Sequence, residues 1–364
     1  MKRLFAGMTA ALLAVILVFS FPAHGISAKS TIVTDCATGR VLYEKDADRQ
    51  SLIASTTKIM TALLICERCN VLDRMRIPKE AVGIEGSSMY LKEGEVLTIQ
   101  ELLYGMMLHS GNDAAVALAI YCAGNVESFA QLMNDKAHSL GLENTHFENP
   151  NGLDAENHYS TARDLGVLAA YAMDNPIFAK IVSTKTVKIG QRCLKNHNKL
   201  LWQLEGADGV KTGYTRAAGR ILVSSAQRNG RRLVAVTIAD PNDWQDHIFL
   251  MEAGFERYAQ QTIVREGQLL GTVEIAGGRE HAVQLIANSS FSYAIAEEEK
   301  IQIKLPSPGF VYAPVAENQS AGYAQIYLDG QWIGKVPLIY GQTVEQEIEQ
   351  EPGLWERLLR GRKS

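Results

Sequence analysis

Apolar residues change their spacing several times along this chain. Residues 31–45, TIVTDCATGRVLYEK, predict two short strands around a turn at Thr38-Gly39. A helix is expected to begin near Ser55 and run to about Cys69. Ile59, Met60, Ala62, Leu63, Leu64 and Ile65 cover most of its faces, so it belongs in the middle of a domain. Residues 98–124 predict two helices. Thr98 with Glu101 forms a capping box for the first. HSGN breaks the pattern, Asp113 is placed to help start the second helix, and Gly124 to stop it. Another amphipathic helix spans 126–141. The polar loop FENPNGLDAENHYS follows, then a helix opened by Thr161 and Asp164. After residue 183 strands return, including GVKTGYT and two β-rich runs joined by the hairpin signal Asn229-Gly230. A helix over roughly 242–259 ends this part. Helices between early and late strands predict an α+β fold with a largely antiparallel sheet.

From about residue 262 helical periodicity vanishes. GTVEIAGG, AVQLIA, IQIKL and AQIYLDGQWIGKVPL are short strands with Gly and Pro between them, and Asp329-Gly330 marks a hairpin. The expected organisation is a leader over 1–28, a mixed domain over 29–261, a small all-β domain over 262–345, and an acidic linker with a short amphipathic tail over 346–364. The leader reading rests on MKR, an apolar run, and small residues Ala23, Gly25 and Ala28 at cleavage spacing. An uncleaved membrane anchor is the other reading, since the run is close to spanning length. In the tail, Leu354, Trp355, Leu358 and Leu359 share a helical face flanked by Arg357, Arg360, Arg362 and Lys363. That pattern suits either an interfacial helix on an anionic membrane through residues 353–363 or a frayed terminus.

Charge adds little. Thirty-six basic against 40 acidic side chains leave −4, with no basic bias toward nucleic acid. The five cysteines are odd in number and sparse for a disulfide framework. CERC (66–69) resembles half of a metal or redox site. Four of the five lie in or beside apolar runs, where a thiol behaves as a small hydrophobe, and no metal site is expected.

The apolar helix also contains a lysine. IASTTKIM places Lys58 three residues after Ser55, so the two share one helical face. Serine is a poor nucleophile until a base takes its proton. Lysine is a base only when neutral, and burial lowers its pKa. The competing reading is a Ser55 N-cap with Lys58 reaching to solvent. SxxK alone is expected about once by chance in a chain this long. Two further motifs follow in order: Ser110-Gly111-Asn112 in the helix break, and Lys211-Thr212-Gly213 on a predicted strand. His109 neighbours Ser110, but no G-x-S-x-G elbow exists.

With ASTTKIMTALL, LHSGNDAAVALA, MNDKAHSLGLENTHFENPNGL, YSTARDL, NKLLW and DGVKTGYTRAAGRILVSSA in sequence, the chain resembles the D-alanyl-D-alanine carboxypeptidases. These are low-molecular-mass penicillin-binding proteins that include sporulation-associated members. The resemblance covers about residues 30–260, and the later strands resemble the family's C-terminal domain. It implies a β-lactamase/transpeptidase-like domain, an all-helical part beside an antiparallel sheet, with the site in the cleft between them. It implies Ser55 as nucleophile, Lys58 as base, and Ser110 as proton relay to the leaving amine. Asn112 would bind the substrate's amide, and Lys211 and Thr212 its terminal carboxylate. Gly213 lets the strand approach, and the Ser55 and Tyr214 N–H groups would make the oxyanion hole. Arg220 could add charge near the carboxylate pocket. The implied partners are peptidoglycan stem peptides and β-lactams, with no cofactor and no nucleic acid, outside the cytoplasm. A DD-endopeptidase, a β-lactamase using Glu148, and an inactive wall-binding protein are the alternatives.

Overall fold

A computed structural model of the protein describes residues 25–306 and 309–347. The expected tail, and the leader up to residue 24, lie outside them. Ile26–Ala28, which the sequence reading put in the leader, are seated in the fold. Ile26 and Ala28 are buried, the Ser27 N–H donates to Asp246 while its Oγ lies within hydrogen-bond reach of both Asp240 and Asp246, and Lys45 Nζ donates to the Ile26 and Ala28 carbonyls. A boundary after residue 28 would strip these contacts away; the folded unit begins by Ile26.

Strands β1 (Ser30–Asp35) and β2 (Val41–Lys45) form the expected hairpin. The chain then makes a 3-10 turn, Ala54–Thr57, that runs into α1 (Lys58–Arg68). Every residue of α1 from Lys58 to Ile65 is buried, as its apolar faces demand. The small pair β3 (Arg74–Arg76) and β4 (Val96–Thr98) leads to α2 (Ile99–Leu108), opened by the Thr98/Glu101 capping box. After the break come α3 (Asn112–Ala123), stopped by Gly124 at φ +84°, and α4 (Val126–Ser139). Thr161 caps α5 (Ala162–Met173). The sequence reading did not separate α6 (Pro176–Ser183), where Asn175 bonds the Ile177 and Phe178 N–H groups and Pro176 fills the first turn.

Next come β5 (Thr186–Ile189), β6 (Arg192–Lys195) and the single turn α7 (Leu200–Gln203). Strands β7 (Ala207–Thr215), β8 (Gly219–Arg228) and β9 (Arg231–Ile238) precede α8 (Asp243–Arg257). Five strands make one antiparallel sheet in the order β2-β1-β9-β8-β7. One face packs α1 to α6 in a large core; the other packs α7 and α8. The fold is α+β, as expected.

The rest is all β: β10 (Ala259–Val264), β11 (Leu269–Ala276), β12 (Ala282–Ala287), β13 (Phe291–Ile295), β14 (Ile301–Lys304), β15 (Phe310–Tyr312), β16 (Ser320–Leu328) and β17 (Gln331–Tyr340). A six-stranded sheet runs β14-β16-β17-β12-β11-β15, and β10 pairs with β13. The short β13 and β15 and the Gln-rich β10 lack a clean two-residue alternation, so the sequence reading missed them. β10 also straddles the expected boundary at 261/262. Arg40 stitches the two parts together. It lies over the Tyr258 and Tyr293 rings, 4.8 and 5.4 Å from their centroids, and pairs with Glu299.

Candidate active site

Three elements converge on one cleft: the 3-10 turn before α1, the break between α2 and α3, and β7. Ser55 sits half-buried in the turn, and Lys58 is the first residue of α1. The turn is held by its neighbours. Thr56 Oγ1 donates to the Ile53 carbonyl, and Thr57 Oγ1 donates to the Ala54 carbonyl at 2.8 Å. Thr57 thereby spends its only proton, so His158 Nε2, 2.7 Å away, must be the donor to Thr57 Oγ1. His158 Nδ1 accepts from the Glu148 N–H at 3.1 Å, which fixes the same tautomer. Burial pushes the His158 pKa down to about 4, so the ring is neutral near pH 7. His158 stands in the polar loop after α4, where a lone histidine gives no signal in the sequence.

Lys58 is fully buried. Its Nζ lies 2.9 Å from Ser55 Oγ, 2.6 Å from Asn112 Oδ1 and 2.5 Å from the Asn151 carbonyl oxygen. The two carbonyl oxygens can only accept. A neutral amine has two protons and one lone pair. Both protons are then committed to Asn112 and Asn151, and the lone pair is left facing the Ser55 hydroxyl. Burial holds the Lys58 pKa well below its usual value, and the nearby Lys211 charge lowers it further, against an opposing pull from Asp113. An ammonium could donate to all three oxygens as well; burial and the Lys211 charge are what favour the neutral amine, and only that form leaves a lone pair toward Ser55.

Asn151 owes its position to the FENPNGL loop. Asn149 Oδ1 accepts from the Asn151 and Gly152 N–H groups at 3.3 and 2.7 Å, and Thr61 Oγ1 donates to the Pro150 carbonyl. Gly152 has φ +84°, and a Cβ there would stand 1.9 Å from the Ala54 oxygen. Only glycine allows this loop to lie on the serine turn. Glu148 in the same loop turns elsewhere: its carboxylate accepts from the Asn157 N–H at 3.0 Å, and it does not line the cleft. Among the described residues no glutamate lines the cleft, where a class A β-lactamase would need one to activate water.

Ser110 occupies the helix break at φ +62°, a left-handed conformation that costs a non-glycine residue about 1–2 kcal/mol. Its Oγ accepts from Lys211 Nζ at 3.1 Å, and Lys211 also donates to the Thr212 carbonyl at 2.7 Å. Lys211 is buried on β7, and burial pushes its pKa down to about 7. Asn112 is 5% exposed and already engaged: its Nδ2 donates to the Glu85 carbonyl at 2.5 Å while its Oδ1 holds Lys58. Asp113 bonds one first-turn N–H, that of Ala114. It also anchors the preceding loop, through the Met89 and Leu91 N–H groups and Ser88 Oγ.

Thr212, Gly213 and Tyr214 line the cleft from β7, with Tyr214 65% exposed at its mouth. A Cβ on Gly213 would meet the Ile53 oxygen at 3.2 Å, Thr56 Cγ2 at 3.3 Å and Ala54 Cβ at 3.4 Å. The strand thus rests directly on the serine turn. Gly213→Val should push the two apart at a cost of about 1–3 kcal/mol. Because misplacement on the ångström scale costs about 10²-fold, acylation by a fluorescent penicillin should slow by at least that factor. Stopped-flow labelling of the purified variant measures it, and an unchanged rate would show that the strand has room to spare.

The cleft encloses about 320 Å³ and is also walled by Ser87, His197, Lys199, Arg220, Asp243 and Trp244. Arg220 lies in the wall as expected, but its guanidinium forks onto both Asp243 oxygens at 2.8 Å. Lys199 and Arg220 each stand 5.8 Å from a Trp244 ring centroid. His197, Asp243 and Trp244 carry no motif of their own, so the sequence did not point to them; Lys199 falls in NKLLW, a stretch that carries the resemblance but gave it no role. A cleft with a primed hydroxyl, a second buried lysine and a cationic wall can acylate a serine with a substrate that ends in a carboxylate.

A family model described as D-alanyl-D-alanine carboxypeptidase matches residues 18–242, and one described as the penicillin-binding protein 5 C-terminal domain matches residues 258–346. The chain is 32% identical to D-alanyl-D-alanine carboxypeptidase DacF of Bacillus subtilis, over 85% of this chain and 84% of that one. Among solved structures, penicillin binding protein 5 from Haemophilus influenzae aligns with a TM-score of 0.73 at 30% identity, covering 88% of this chain and 98% of that one. The Streptomyces K15 DD-transpeptidase aligns with a TM-score of 0.61 at 36% identity, covering 63% and 97%.

Proposed function

Since the chain belongs to the D-alanyl-D-alanine carboxypeptidase family and is a serine-type carboxypeptidase of that kind, we propose how its residues divide the work. Ser55 Oγ attacks the carbonyl of the penultimate D-alanine while its proton passes to the lone pair of Lys58. The carbonyl oxygen takes up negative charge and is met by the Ser55 and Tyr214 N–H groups. Ser110 passes its hydroxyl proton to the departing amine of the terminal D-alanine and takes one in turn from the Lys211 ammonium, 3.1 Å away. Lys211 and Thr212 hold the terminal carboxylate, with Lys199 and Arg220 adding positive potential along the wall. Asn112 orients Lys58 and is the group from which the substrate amide would draw a bond. Water then hydrolyses the acyl-enzyme. The observation that carries this reading is the Lys58 amine between two carbonyl acceptors and one hydroxyl.

The substrates are stem peptides of peptidoglycan ending in D-Ala-D-Ala, and β-lactams acylate the same serine. Work on that substrate places the enzyme outside the cytoplasm. The leader, ending before the buried Ile26, and the basic amphipathic tail over 353–363 support export and a peripheral hold on the outer membrane face. The test uses a pentapeptide ending in D-Ala-D-Ala, followed by mass spectrometry. Loss of one D-alanine is expected from the free acid, with little turnover of the C-terminal amide, which lacks the charge that Lys211 would read. Cleavage of cross-linked dimers without release of D-alanine would replace this reading with an endopeptidase.

A further inference from the structure

The serine turn is held from behind as well as from within the cleft. Ala54, directly before Ser55, sits at φ +46°, a left-handed backbone that is strained in any residue but glycine. Strain beside a nucleophile persists only where its surroundings impose it. One such restraint is the Thr57 hydroxyl, which reaches across Ser55 and Thr56 to donate to the Ala54 carbonyl at 2.8 Å. Thr57 also directly precedes Lys58, so its side chain stands at the joint between the two reacting residues. It is fully buried, and Gly152 closes over it: a Cβ there would stand 2.8 Å from the hydroxyl oxygen.

His158, the donor to that hydroxyl, is a fixed post. It is 1% exposed, and the chain after it is pinned on two sides. Tyr159 exchanges backbone bonds with His146 at 2.9 and 3.0 Å, and Ser160 does so with Ser51 at 2.9 and 3.1 Å. The Phe147 ring meets the imidazole edge-on, with 5.7 Å between centroids. An apolar side chain could fill this space with no nitrogens to satisfy. The imidazole instead uses both of its nitrogens as a link. Nε2–H holds Thr57 in the serine turn, and Nδ1 holds the Glu148 N–H in the loop that brings the Asn151 carbonyl to Lys58. Neither bond goes to Ser55 or Lys58, so the ring acts on the reacting pair at one remove.

We infer that His158 is a positioning residue for acylation: through Thr57 it holds the serine turn at a set distance from the loop that carries Asn151. This rests on the reading of Ser55 as nucleophile and Lys58 as base. The 2.9 Å contact from Lys58 Nζ to Ser55 Oγ depends on the turn, and the 2.5 Å contact to the Asn151 carbonyl depends on the loop. Cutting the link lets turn and loop drift apart, while the groups on β7 that meet the substrate stay where they are. The signature is a slower chemical step after unchanged initial binding.

The experiment follows acylation of the full-length protein by a fluorescent penicillin in stopped flow. It separates the first-order acylation rate, per titrated active site, from the dissociation constant of the initial complex. His158→Leu should lower that rate by about 10–10²-fold and leave the dissociation constant unchanged. His158→Gln presents one donor and one acceptor, as the imidazole does, and should recover most of the loss. Thr57→Val should resemble His158→Leu, and the double variant should be no slower than the slower single one. In the wild type, nitrogen-15 spectra of the histidine rings should show the His158 proton on Nε2. A wild-type rate in His158→Leu or Thr57→Val, a glutamine variant as slow as the leucine one, losses that multiply in the double variant, or a proton on Nδ1 would overturn the inference. If His158→Leu does not fold, Thr57→Val and the spectra decide. Ser55→Ala separates the two levels. Label retained there removes the nucleophile reading itself; label lost there, with wild-type rates in the His158 and Thr57 variants, removes only the role given to His158.

Discussion

Ser55→Ala should fold normally, take no label from fluorescent penicillin, and release D-alanine no faster than background, a loss on the order of 10⁵–10⁶ in rate. The change removes one small hydroxyl from a half-buried turn. Its structural cost is one hydrogen bond, the one shared with Lys58, or about 0.5–1.5 kcal/mol. The turn keeps its other restraints through Thr56, Thr57 and His158. The nearest alternative is Ser110, but Lys211 donates to its Oγ, so while Lys211 is charged it cannot draw off the Ser110 proton. Gel fluorescence and intact-protein mass spectrometry read out acylation, and thermal melting confirms the fold. Label retained on this variant would move the nucleophile elsewhere, with Ser110 the first place to look.

Lys58→Met should lower the acylation rate by about 10²–10⁴, the usual contribution of a positioned base. Methionine keeps most of the stem volume in a site with no exposure and removes the amine. The Asn112 and Asn151 carbonyls each lose a donor, costing about 1–3 kcal/mol per group, while the cost of burying a polar amine disappears. The two terms oppose each other, so activity should fall far more than stability. The wild-type pH profile carries a second signature of the same amine. Protonation as pH falls through the lowered Lys58 pKa removes the lone pair, so acylation declines on the acid side with the slope of one proton. Lys211 sits near enough to lower that pKa further. Lys211→Ala removes a positive charge, so the Lys58 pKa rises and the acid limb moves to higher pH. On the alkaline side, Lys211 itself gives up its charge above about 7 in the free enzyme, and recognition of a carboxylate weakens. Second-order acylation rates measured across pH for the two proteins decide it. An acid limb that stays in place in Lys211→Ala would mean that the limb belongs to another group.

The legible parts of the fold were those written in short-range rules. The capping box at Thr98, the Asn229-Gly230 and Asp329-Gly330 turns and the all-round apolar α1 are each fixed by residues within a few positions of one another. The break between α5 and α6 is local too, and Asn175-Pro176 marks it plainly. The strands missed were those whose faces are set by a partner: β10 is defined by pairing with β13, and β15 by a parallel match to β11. Ile26–Ala28 read as leader because their small and apolar residues resemble cleavage-site residues. Their burial depends on Asp240, Asp246 and Lys45, far along the chain.

By itself the sequence singled out the side chains proposed to carry the chemistry, because Ser55 and Lys58 lie one turn apart and SGN and KTG each occupy a local structural context that can be read from neighbours. It also determined that Lys58 begins an oily helix. Only the tertiary structure decided what surrounds that lysine. The Asn151 carbonyl, the His158 tautomer, the seat of Gly152 on Ala54 and the pairing of Arg220 with Asp243 all join residues distant in the chain. The direction of a lone pair is set by which acceptors surround the amine, and those acceptors arrive from α3 and from a loop more than ninety residues away. Local spacing can single out a candidate base, but the direction of its lone pair becomes visible only when packing brings its neighbours together.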